Sequence, residues 1–421
     1  MKKIFLLAPM ATLALAIMLA LAACAPETPD GPTGPVAPAD AIELTTRGAE
    51  KIAADNDFAF RFFRETIATA KGDEKQNAFV SPLSMTMALG MLYNGTSPEA
   101  ATEMATALGL ADLTADEINA HYKALGEALL AADPKTALAI ANSIWSRDGY
   151  PVKPTFYDLN RTWYGAEVQS RDFSLQATVD EINRWCADNT AGKIPEILKE
   201  PIPAEVVMYL INAVYFKGEW KFAFDKSDTR DEPFTLADGS TTQVSMMNQT
   251  TDLPVYYDDK FQCVELPYGN GAFGMLAVLP TPESSLDELV ASFDAATYNE
   301  ISNGLHEMGV EVKLPRWKQE CEFGLVDATL NLGMERIFVP GNLGGISDDP
   351  RLAVGEIRQK TFVEVNEQGT EAAAITIIGN YATAEPSGPP TFHADRPFLY
   401  LIRERSTGAI LFIGRMDKPQ V

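Results

Sequence analysis

Apolar residues recur at helical spacing in separate parts of the chain. Side chains three and four positions apart share one face of a helix, and two stretches show this repeat: Phe58, Phe62, Phe63 and Ile67, then Val179, Ile182 and Cys186. A third stretch starts at Ser81-Pro82 and runs to Tyr93, with proline in the first turn, where its missing N–H leaves no helical hydrogen bond unmade. The pattern predicts helices near 58–67, 82–93 and 177–190.

Continuous apolar runs bounded by polar or turn residues predict strands. Six such runs occupy residues 206–216, 273–279, 310–314, 362–365, 398–402 and 410–413. Helices and strands do not alternate regularly, as a parallel sheet with crossover helices would require, so the sequence indicates an α+β protein. Asn270-Gly271 stands between two apolar runs and predicts a tight hairpin turn.

Composition excludes several classes of function. The 421 residues are 46% hydrophobic and 22% charged, as in a globular protein. Lys and Arg number 34 against 58 Asp and Glu, a net charge of −24, so nucleic acid is not an expected partner. The three histidines, His121, His306 and His393, are scattered, and the sequence has neither an HExxH nor a GxSxG pattern. We therefore expect no cofactor, no metal and no catalytic activity.

The first 23 residues are predicted to be a lipoprotein signal peptide. Lys2 and Lys3 precede an uncharged run from Ile4 to Ala23. The run ends in Leu21-Ala22-Ala23-Cys24, which resembles a bacterial lipobox, with the Cys24 thiol as the site of lipid attachment. The alternative is an uncleaved membrane anchor. In both cases we expect the rest of the chain to be exported, as a cell-envelope lipoprotein or an extracellular protein.

Residues 24–44 are predicted to be a Pro-rich tether. Between Ala25 and Asp40 there are five Pro, two Gly and no aromatic residue, so this stretch cannot bury enough apolar surface to fold. After about Ile42 we find no second linker, repeat or low-complexity tract. Residues 45–421 are therefore predicted to form one domain, which touches a membrane only through the N-terminal anchor.

The segment from Glu367 to Thr376 has an unusual composition. Its Gly and Ala residues pack little surface as a strand, and Gly369 with the β-branched residues makes a poor helix. If the segment is extended with Thr370 facing inward, every inward side chain is small and uncharged: Thr370, Ala372, Ala374 and Thr376. These properties suit a backbone that slides into a tight space, with Gly369 as its pivot. Residues 379–390 are rich in Gly and Pro and predict a loop.

The chain resembles the serpin family over nearly all of residues 45–420. Eight motifs occur in the order that the family has them: Asn77–Ser84, Ile182–Trp185, Thr190–Ile194, Asn212–Trp220, Leu314–Trp317, Leu332–Met334, Gly345–Ser347 and Phe392–Leu399. The resemblance implies a serpin fold of three β-sheets with eight to nine helices. It also implies an exposed reactive-centre loop at about residues 367–391.

The resemblance further implies irreversible inhibition of serine endopeptidases by a suicide-substrate mechanism. The protease serine attacks the exposed loop and forms an acyl-enzyme. The cut loop then inserts into the main sheet as a new strand before water can release the protease. A strand of about 15 residues at ~3.3 Å each spans roughly 50 Å, so its insertion would carry the attached protease to the opposite end of the main sheet. The inhibitor itself supplies no catalytic group.

Matching to the family assigns the loop residues. The reactive bond is expected between Thr383 and Ala384, with Tyr381 or Ala382 as alternatives for the residue before the cut. The hinge that begins insertion comprises Glu367, Gly369, Thr370, Glu371, Ala372, Ala373 and Ala374.

A second group matches the region where the central strands of the main sheet part. Ser81, Ser84 and Asn212 belong to it, although helix capping and core hydrogen bonds would also explain them. By the same resemblance Glu367 pairs with Arg316 beside Trp220. Gln359 stands where the family often has a histidine, and its amide can still bridge strands.

The loop composition narrows the expected partner. No Lys or Arg occurs between Ala372 and Phe392, which disfavours a trypsin-like target. Thr383 or Ala382 suits an elastase-like or subtilisin-like protease, whereas a cut after Tyr381 suits a chymotrypsin-like one. Residues 97–131 hold six acids and only one cation, so no heparin-type cofactor is expected. We expect a monomer. The alternative function is a non-inhibitory binding or carrier protein with the same fold.

Overall fold

The computed structural model describes residues 39–43, 46–199, 201–370 and 390–420. The signal peptide, Cys24 and the tether up to residue 38 lie outside the described residues. Within them are nine α-helices: Thr46–Thr69 (α1), Pro82–Tyr93 (α2), Pro98–Ala107 (α3), Ala115–Ala131 (α4), Pro154–Tyr164 (α5), Gln176–Asn189 (α6), Leu286–Ser292 (α7), Ala295–Gly304 (α8) and Val326–Asn331 (α9).

The same residues contain fifteen strands. They are Phe79–Val80 (β1), Ala137–Arg147 (β2), Glu167–Arg171 (β3), Met208–Glu219 (β4), Arg230–Thr235 (β5), Thr241–Tyr257 (β6), Phe261–Pro267 (β7), Phe273–Pro280 (β8), His306–Pro315 (β9), Trp317–Gly324 (β10), Arg358–Asn366 (β11), Gly369–Thr370 (β12), Thr391–His393 (β13), Phe398–Glu404 (β14) and Ile410–Met416 (β15).

The helices and strands predicted from the apolar pattern are all present, with boundaries that differ by a few residues at most ends. The Ser81 side chain caps α2 by accepting a hydrogen bond from the Ser84 N–H at 3.1 Å. Helix α1 begins at Thr46, twelve positions before Phe58. The predicted hairpin turn joins β7 to β8, and Gly271 there has a φ of +94°, which favours glycine.

The strands form a main sheet and a larger, bent sheet. The main sheet has the order β10-β11-β12-β4-β2-β3. The larger sheet has the order β1-β15-β14-β8-β7-β6-β9-β13, with β5 paired to β6. The long strand β6 divides it, because residues 241–246 pair with β5 and Val255–Tyr257 pair with β7. The predicted α+β class, with several sheets and nine helices among the described residues, is confirmed.

Two apolar layers cover the main sheet. On one face lies the large core, in which α2 is buried along most of its length and contacts both β4 and β15. On the opposite face α6 packs against β2 and β4 through a separate cluster: Trp145, Phe173, Val179, Ile182, Cys186, Ile202 and Ile211. The central strands of the main sheet therefore lie between two helices. None of the described helices is long and apolar enough to span a membrane.

Candidate hinge and sheet-opening site

The first hinge residues form a strand inside the main sheet. Strand β12 pairs antiparallel with both neighbours: Gly369 lies opposite Glu219 of β4 and Asn366 of β11, and Thr370 lies opposite Gly218 and Val365. In the described part of the chain, β11 and β4 pair with β12 and not with each other. The polypeptide that follows residue 370 therefore leaves from a position between two central strands.

Glycine is required at position 369 by geometry. Its φ is +149°, which L side chains rarely adopt. A Cβ atom added there would lie 2.1 Å from the carbonyl oxygen of Gly218, inside the main sheet. The backbone of the hinge can enter between β11 and β4 only because this side chain is absent.

Thr370 faces inward, as the predicted alternation requires. It is 2% exposed, and its hydroxyl hydrogen-bonds the Tyr268 hydroxyl at 2.7 Å. The Tyr268 ring stacks on Trp220 with 4.5 Å between ring centroids. Burial raises the pKa of Tyr268 far above its ordinary value, and the hydrogen bond to Thr370 offsets only part of that. The phenol is therefore protonated at all ordinary pH values and is available as a donor.

Trp220 also holds the turn that precedes the hinge. Its indole Nε1–H donates to the Asn366 carbonyl at 2.9 Å, and its backbone N–H donates to the Gln368 carbonyl at 2.7 Å. The ring is buried against Phe224 and Tyr268. This tryptophan therefore connects the end of β4 to the end of β11.

Glu367 is a buried carboxylate at the end of the main sheet. It is 1% exposed, and its Oε1 atom accepts hydrogen bonds from Arg316 Nε at 2.7 Å and from the Thr229 hydroxyl at 2.6 Å. Arg316 Nη2 contacts the same oxygen. Burial by itself raises the pKa of Glu367, but the hydrogen bonds from Thr229 and Arg316 and the charge of Arg316 outweigh it and lower the pKa. The carboxylate is therefore ionised at neutral pH.

The sheet-opening residues come together at the N-terminus of α2. Gln359 of β11 binds the Ser81 backbone twice, accepting from its N–H at 2.9 Å and donating to its carbonyl at 2.9 Å. The Ser81 hydroxyl donates to the Leu411 carbonyl at 2.9 Å. The amide thus bridges β11 to the residue that caps α2, a contact that needs both an acceptor and a donor.

Asn212 lies in β4, close to Ser84 of α2. Its Nδ2 donates to Asn142 Oδ1 of β2 at 2.7 Å, and its carbonyl receives a weak contact from the Ser84 hydroxyl at 3.5 Å. The Asn212 Oδ1 atom is buried and has no hydrogen-bond partner among the described residues. A buried acceptor of this kind is costly unless a donor reaches it.

The remaining loop residues are not described. Hinge residues Glu371, Ala372, Ala373 and Ala374 lie outside the described residues, as do Tyr381, Ala382, Thr383 and Ala384 around the expected reactive bond. The described chain resumes at Pro390, whose carbonyl accepts from the Glu311 N–H at 2.9 Å. Strand β13 then pairs parallel with β9. Both ends of the loop are therefore attached to sheets.

Two residues of this site were missed by sequence reasoning. Thr229 binds Glu367 from 138 positions away, and no local pattern marks it. Tyr268 directly precedes the Gly269-Asn270-Gly271 turn, so its position beside a tight turn was the available signal. Within the described ranges, no three His, Cys, Asp or Glu side chains are grouped so that they could hold a metal ion.

The family model described as Serpin (serine protease inhibitor) matches residues 53–419. Leukocyte elastase inhibitor of Equus caballus is 34% identical over 380 residues, which cover 87% of this chain and 98% of the relative.

Two solved structures are similar over most of their length. The thermophilic serpin tengpin in its native state has a TM-score of 0.80 and 29% identity, covering 90% of this chain and 96% of its own. Human thyroxine-binding globulin in complex with thyroxine has a TM-score of 0.80 and 27% identity, covering 89% of this chain and 100% of its own.

Replacing Arg316 by alanine should destabilise the protein by about 2–3 kcal/mol at neutral pH, because it leaves the buried Glu367 carboxylate with one neutral donor. Urea unfolding measures the change. As a control, Arg47→Ala removes the ion pair of Arg47 with the exposed Asp112 and should cost less than about 1 kcal/mol.

The difference in unfolding free energy between wild type and Arg316→Ala should also depend on pH. Since the pKa of Glu367 is lowered in the folded state, the stability from its charged form is present above the ordinary glutamate pKa of about 4.3. That stability is lost as the pH falls through the lowered pKa. A difference that stayed constant down to strongly acid pH would contradict the assigned pairing.

Proposed function

Because the chain belongs to the serpin family, we propose that it is an irreversible suicide-substrate inhibitor of serine endopeptidases and not an enzyme. One observation carries the proposal. Gly369 and Thr370 pair with both β4 and β11, so the hinge already enters the main sheet as the start of an additional strand. An exposed loop that continues from this point can be offered to a protease and then drawn inward.

The first step is ordinary proteolysis. The serine oxygen of the protease attacks the carbonyl carbon of Thr383, and the amide bond to Ala384 breaks. The amine of Ala384 leaves with a proton delivered by the protease histidine, and an ester joins Thr383 to the serine. The inhibitor contributes the carbonyl group and no acid, base or nucleophile.

The second step is insertion, and the register of β12 sets its course. A strand continued from Thr370 in the same register would bring Thr376 opposite Asn212 of β4 and Gln359 of β11. The Thr376 hydroxyl would then be a donor for the buried Asn212 Oδ1 atom, which has no partner among the described residues. In that strand Ala372, Ala374 and Thr376 would share the inward face with Thr370, so no charge would enter the core.

The energy of insertion is sufficient to disable a protease. Each new ladder hydrogen bond contributes about 0.5–1.5 kcal/mol net, so the inserted strand yields on the order of 10 kcal/mol. Loss of one oxyanion-hole donor costs a protease about 3 kcal/mol of transition-state stabilisation. Insertion can therefore distort the active site before water hydrolyses the ester. The uncut inhibitor must be a kinetic trap, held by the intact loop.

The proposed targets are elastase-like or subtilisin-like proteases. Thr383, or Ala382 if the cut is one residue earlier, fits a shallow specificity pocket. The absence of Lys and Arg from residues 373–391 disfavours trypsin-like enzymes. The similarity to leukocyte elastase inhibitor is consistent with this class. A cut after Tyr381 would point to a chymotrypsin-like protease instead.

We also propose that the inhibitor acts at the cell envelope. Residues 1–23 would direct export, Cys24 would carry the lipid, and residues 24–44 would hold the domain away from the membrane. An uncleaved anchor would give the same location. The proposed working form is a monomer, since one loop and one main sheet suffice to trap one protease.

A carrier function is the second candidate. It is favoured by the similarity to human thyroxine-binding globulin, which has the same fold and whose structure is a complex with thyroxine. A carrier does not require an inserting hinge, so the two candidates differ in one measurable property. Only the inhibitor forms a covalent complex with a protease.

Incubation with elastase-like and subtilisin-like proteases should give a band larger than either protein that survives denaturing gel electrophoresis. Mass measurement of the released C-terminal peptide should place the cut at Thr383-Ala384, or within two residues of it. Protease whose serine has been blocked is the control and should give no such band. Clean cleavage of the loop by active protease without the large band would support a carrier and reject the inhibitor.

Nicking the loop should raise the melting temperature by at least about 10 °C, because insertion adds a strand worth several kcal/mol. A metalloprotease is suitable for the cut, since it forms no acyl-enzyme and cannot be trapped. Calorimetry before and after nicking measures the shift. Equal melting temperatures would show that the uncut protein stores no insertion energy.

Thr370→Arg should convert the inhibitor into a substrate. The arginine would have to be buried against Tyr268 with no counter-charge, which costs several kcal/mol, so insertion fails while cutting proceeds. Thr235→Arg, on the exposed face of β5, is the matched control and should inhibit like wild type. The measured quantity is the number of inhibitor molecules consumed per protease trapped. Wild-type trapping by Thr370→Arg would contradict the proposal that trapping requires a small, uncharged side chain here inside the main sheet.

A further inference from the structure

A buried carboxylate lies near the hinge without belonging to the site described above. Asp133 follows α4 and is 2% exposed. Its Oδ1 accepts from the Lys135 N–H at 3.0 Å, and its Oδ2 accepts from the Thr136 hydroxyl at 2.8 Å and from the Asn270 N–H at 3.2 Å. Within the described ranges no cation forms an ion pair with it. A buried carboxyl group whose oxygens accept only from neutral donors must position those donors closely.

The backbone of the 268–271 turn is shaped around this carboxylate. Gly269 has a φ of +46°, and a Cβ atom there would lie 2.0 Å from Asp133 Oδ2. The Asn270 side chain adds a second link, donating from Nδ2 to the Ala132 carbonyl at 3.1 Å. The turn between β7 and β8 is thereby fixed to the end of α4.

The same turn supports both residues of β12. The Gly269 N–H donates to the Glu219 carbonyl at 2.8 Å, and Glu219 is the residue paired with Gly369. The neighbouring residue, Tyr268, hydrogen-bonds Thr370. Asp133 is thus linked to Gly369 and Thr370 through the 268–271 turn, whose residues bind Asp133, Glu219 and Thr370.

We propose that Asp133 is a positioning residue for the hinge. It fixes the 268–271 turn so that the Tyr268 hydroxyl and the Glu219 carbonyl lie where β12 enters between β4 and β11. Among the described residues, Asp133 hydrogen-bonds neither Gly369 nor Thr370, and it acts on them through Tyr268 and Gly269. Its effect on hinge order follows from the described contacts alone, whereas its effect on inhibition rests on the proposed function.

The consequence for inhibition follows from competition between two rates. Once the acyl-enzyme has formed, the loop either inserts or is released when the protease hydrolyses the ester. A disordered hinge slows insertion and leaves hydrolysis unchanged, so more inhibitor is consumed per protease trapped. The cutting step precedes insertion and should not respond to Asp133.

Hydrogen exchange of the full exported chain tests the positioning role. In Asp133→Ala, the amides of Gly369 and Thr370 should exchange at least tenfold faster than in wild type under native conditions. Asp133→Asn should be intermediate, because its carbonyl can still accept from Asn270 and Thr136 while its NH2 group opposes the Lys135 N–H. If Asp133→Ala does not fold, the isosteric Asp133→Asn alone carries the test.

Asp258→Ala is the matched control. Asp258 accepts from the N–H groups of Lys260 and Phe261 at 2.7 and 2.8 Å, in the turn at the opposite end of β7. The Asp258→Ala substitution should lower the melting temperature without changing the hydrogen exchange of the Gly369 and Thr370 amides, since Asp258 does not contact the 268–271 turn. Wild-type hinge exchange in both Asp133 variants, or the same acceleration in Asp258→Ala, would overturn the proposal.

Inhibition assays give the second readout. Asp133→Ala should consume severalfold more inhibitor per trapped protease, with the rate of loop cutting within twofold of wild type. If the Gly369 and Thr370 amides exchange faster but the number of inhibitor molecules consumed per trapped protease is unchanged, the proposed effect of Asp133 on inhibition is overturned. If wild type traps no protease at all, the proposed function fails, and the exchange experiment still decides whether Asp133 orders the hinge.

Discussion

The structure depends on how backbone hydrogen bonds are satisfied along the facing edges of β4 and β11. On its outer side β4 pairs with β2 over residues 208–217, and β11 pairs with β10 over residues 358–365. On the inner side both pair with β12 at one end of the main sheet. Backbone groups in a sheet interior are costly when they lack partners, so these edges favour any segment that can supply a further strand. Under the proposed function, the small side chains of the hinge would allow its own chain to be that segment.

Buried polar groups mark the point at which the strand enters. Glu367 is held by Thr229 and by the cation Arg316, and their hydrogen bonds with the charge of Arg316 outweigh burial and lower its pKa. Asp133, on the other side of the entry, is held only by neutral donors. Tyr268 and Trp220 lie between them as a stacked pair. Gly369 and Thr370 are therefore surrounded by hydrogen-bonded and stacked groups, an arrangement that would favour the proposed insertion in one register.

The middle of the main sheet is constrained differently. Gln359 uses both ends of its amide on the backbone of Ser81, so β11 is tied to the start of α2 and not to Asn212 of β4. A histidine there could change its bonding with protonation, whereas an amide keeps the same donor and acceptor at every pH. The link between β11 and α2 is accordingly insensitive to pH in this chain.

Sequence alone determined the class of the fold, the position of three of the nine described helices and six of the fifteen described strands, and the composition of the hinge, because periodicity and side-chain size are local properties. It also marked Gly369 and the inward face of Thr370. Only the tertiary structure decided which groups those residues meet: Tyr268 lies 102 positions from Thr370, and Gln359 lies 278 positions from Ser81. A local pattern reports that a side chain is buried, but the strand order of the sheet decides what it is buried against. That order arises from pairings between distant segments, which no single window of the chain contains.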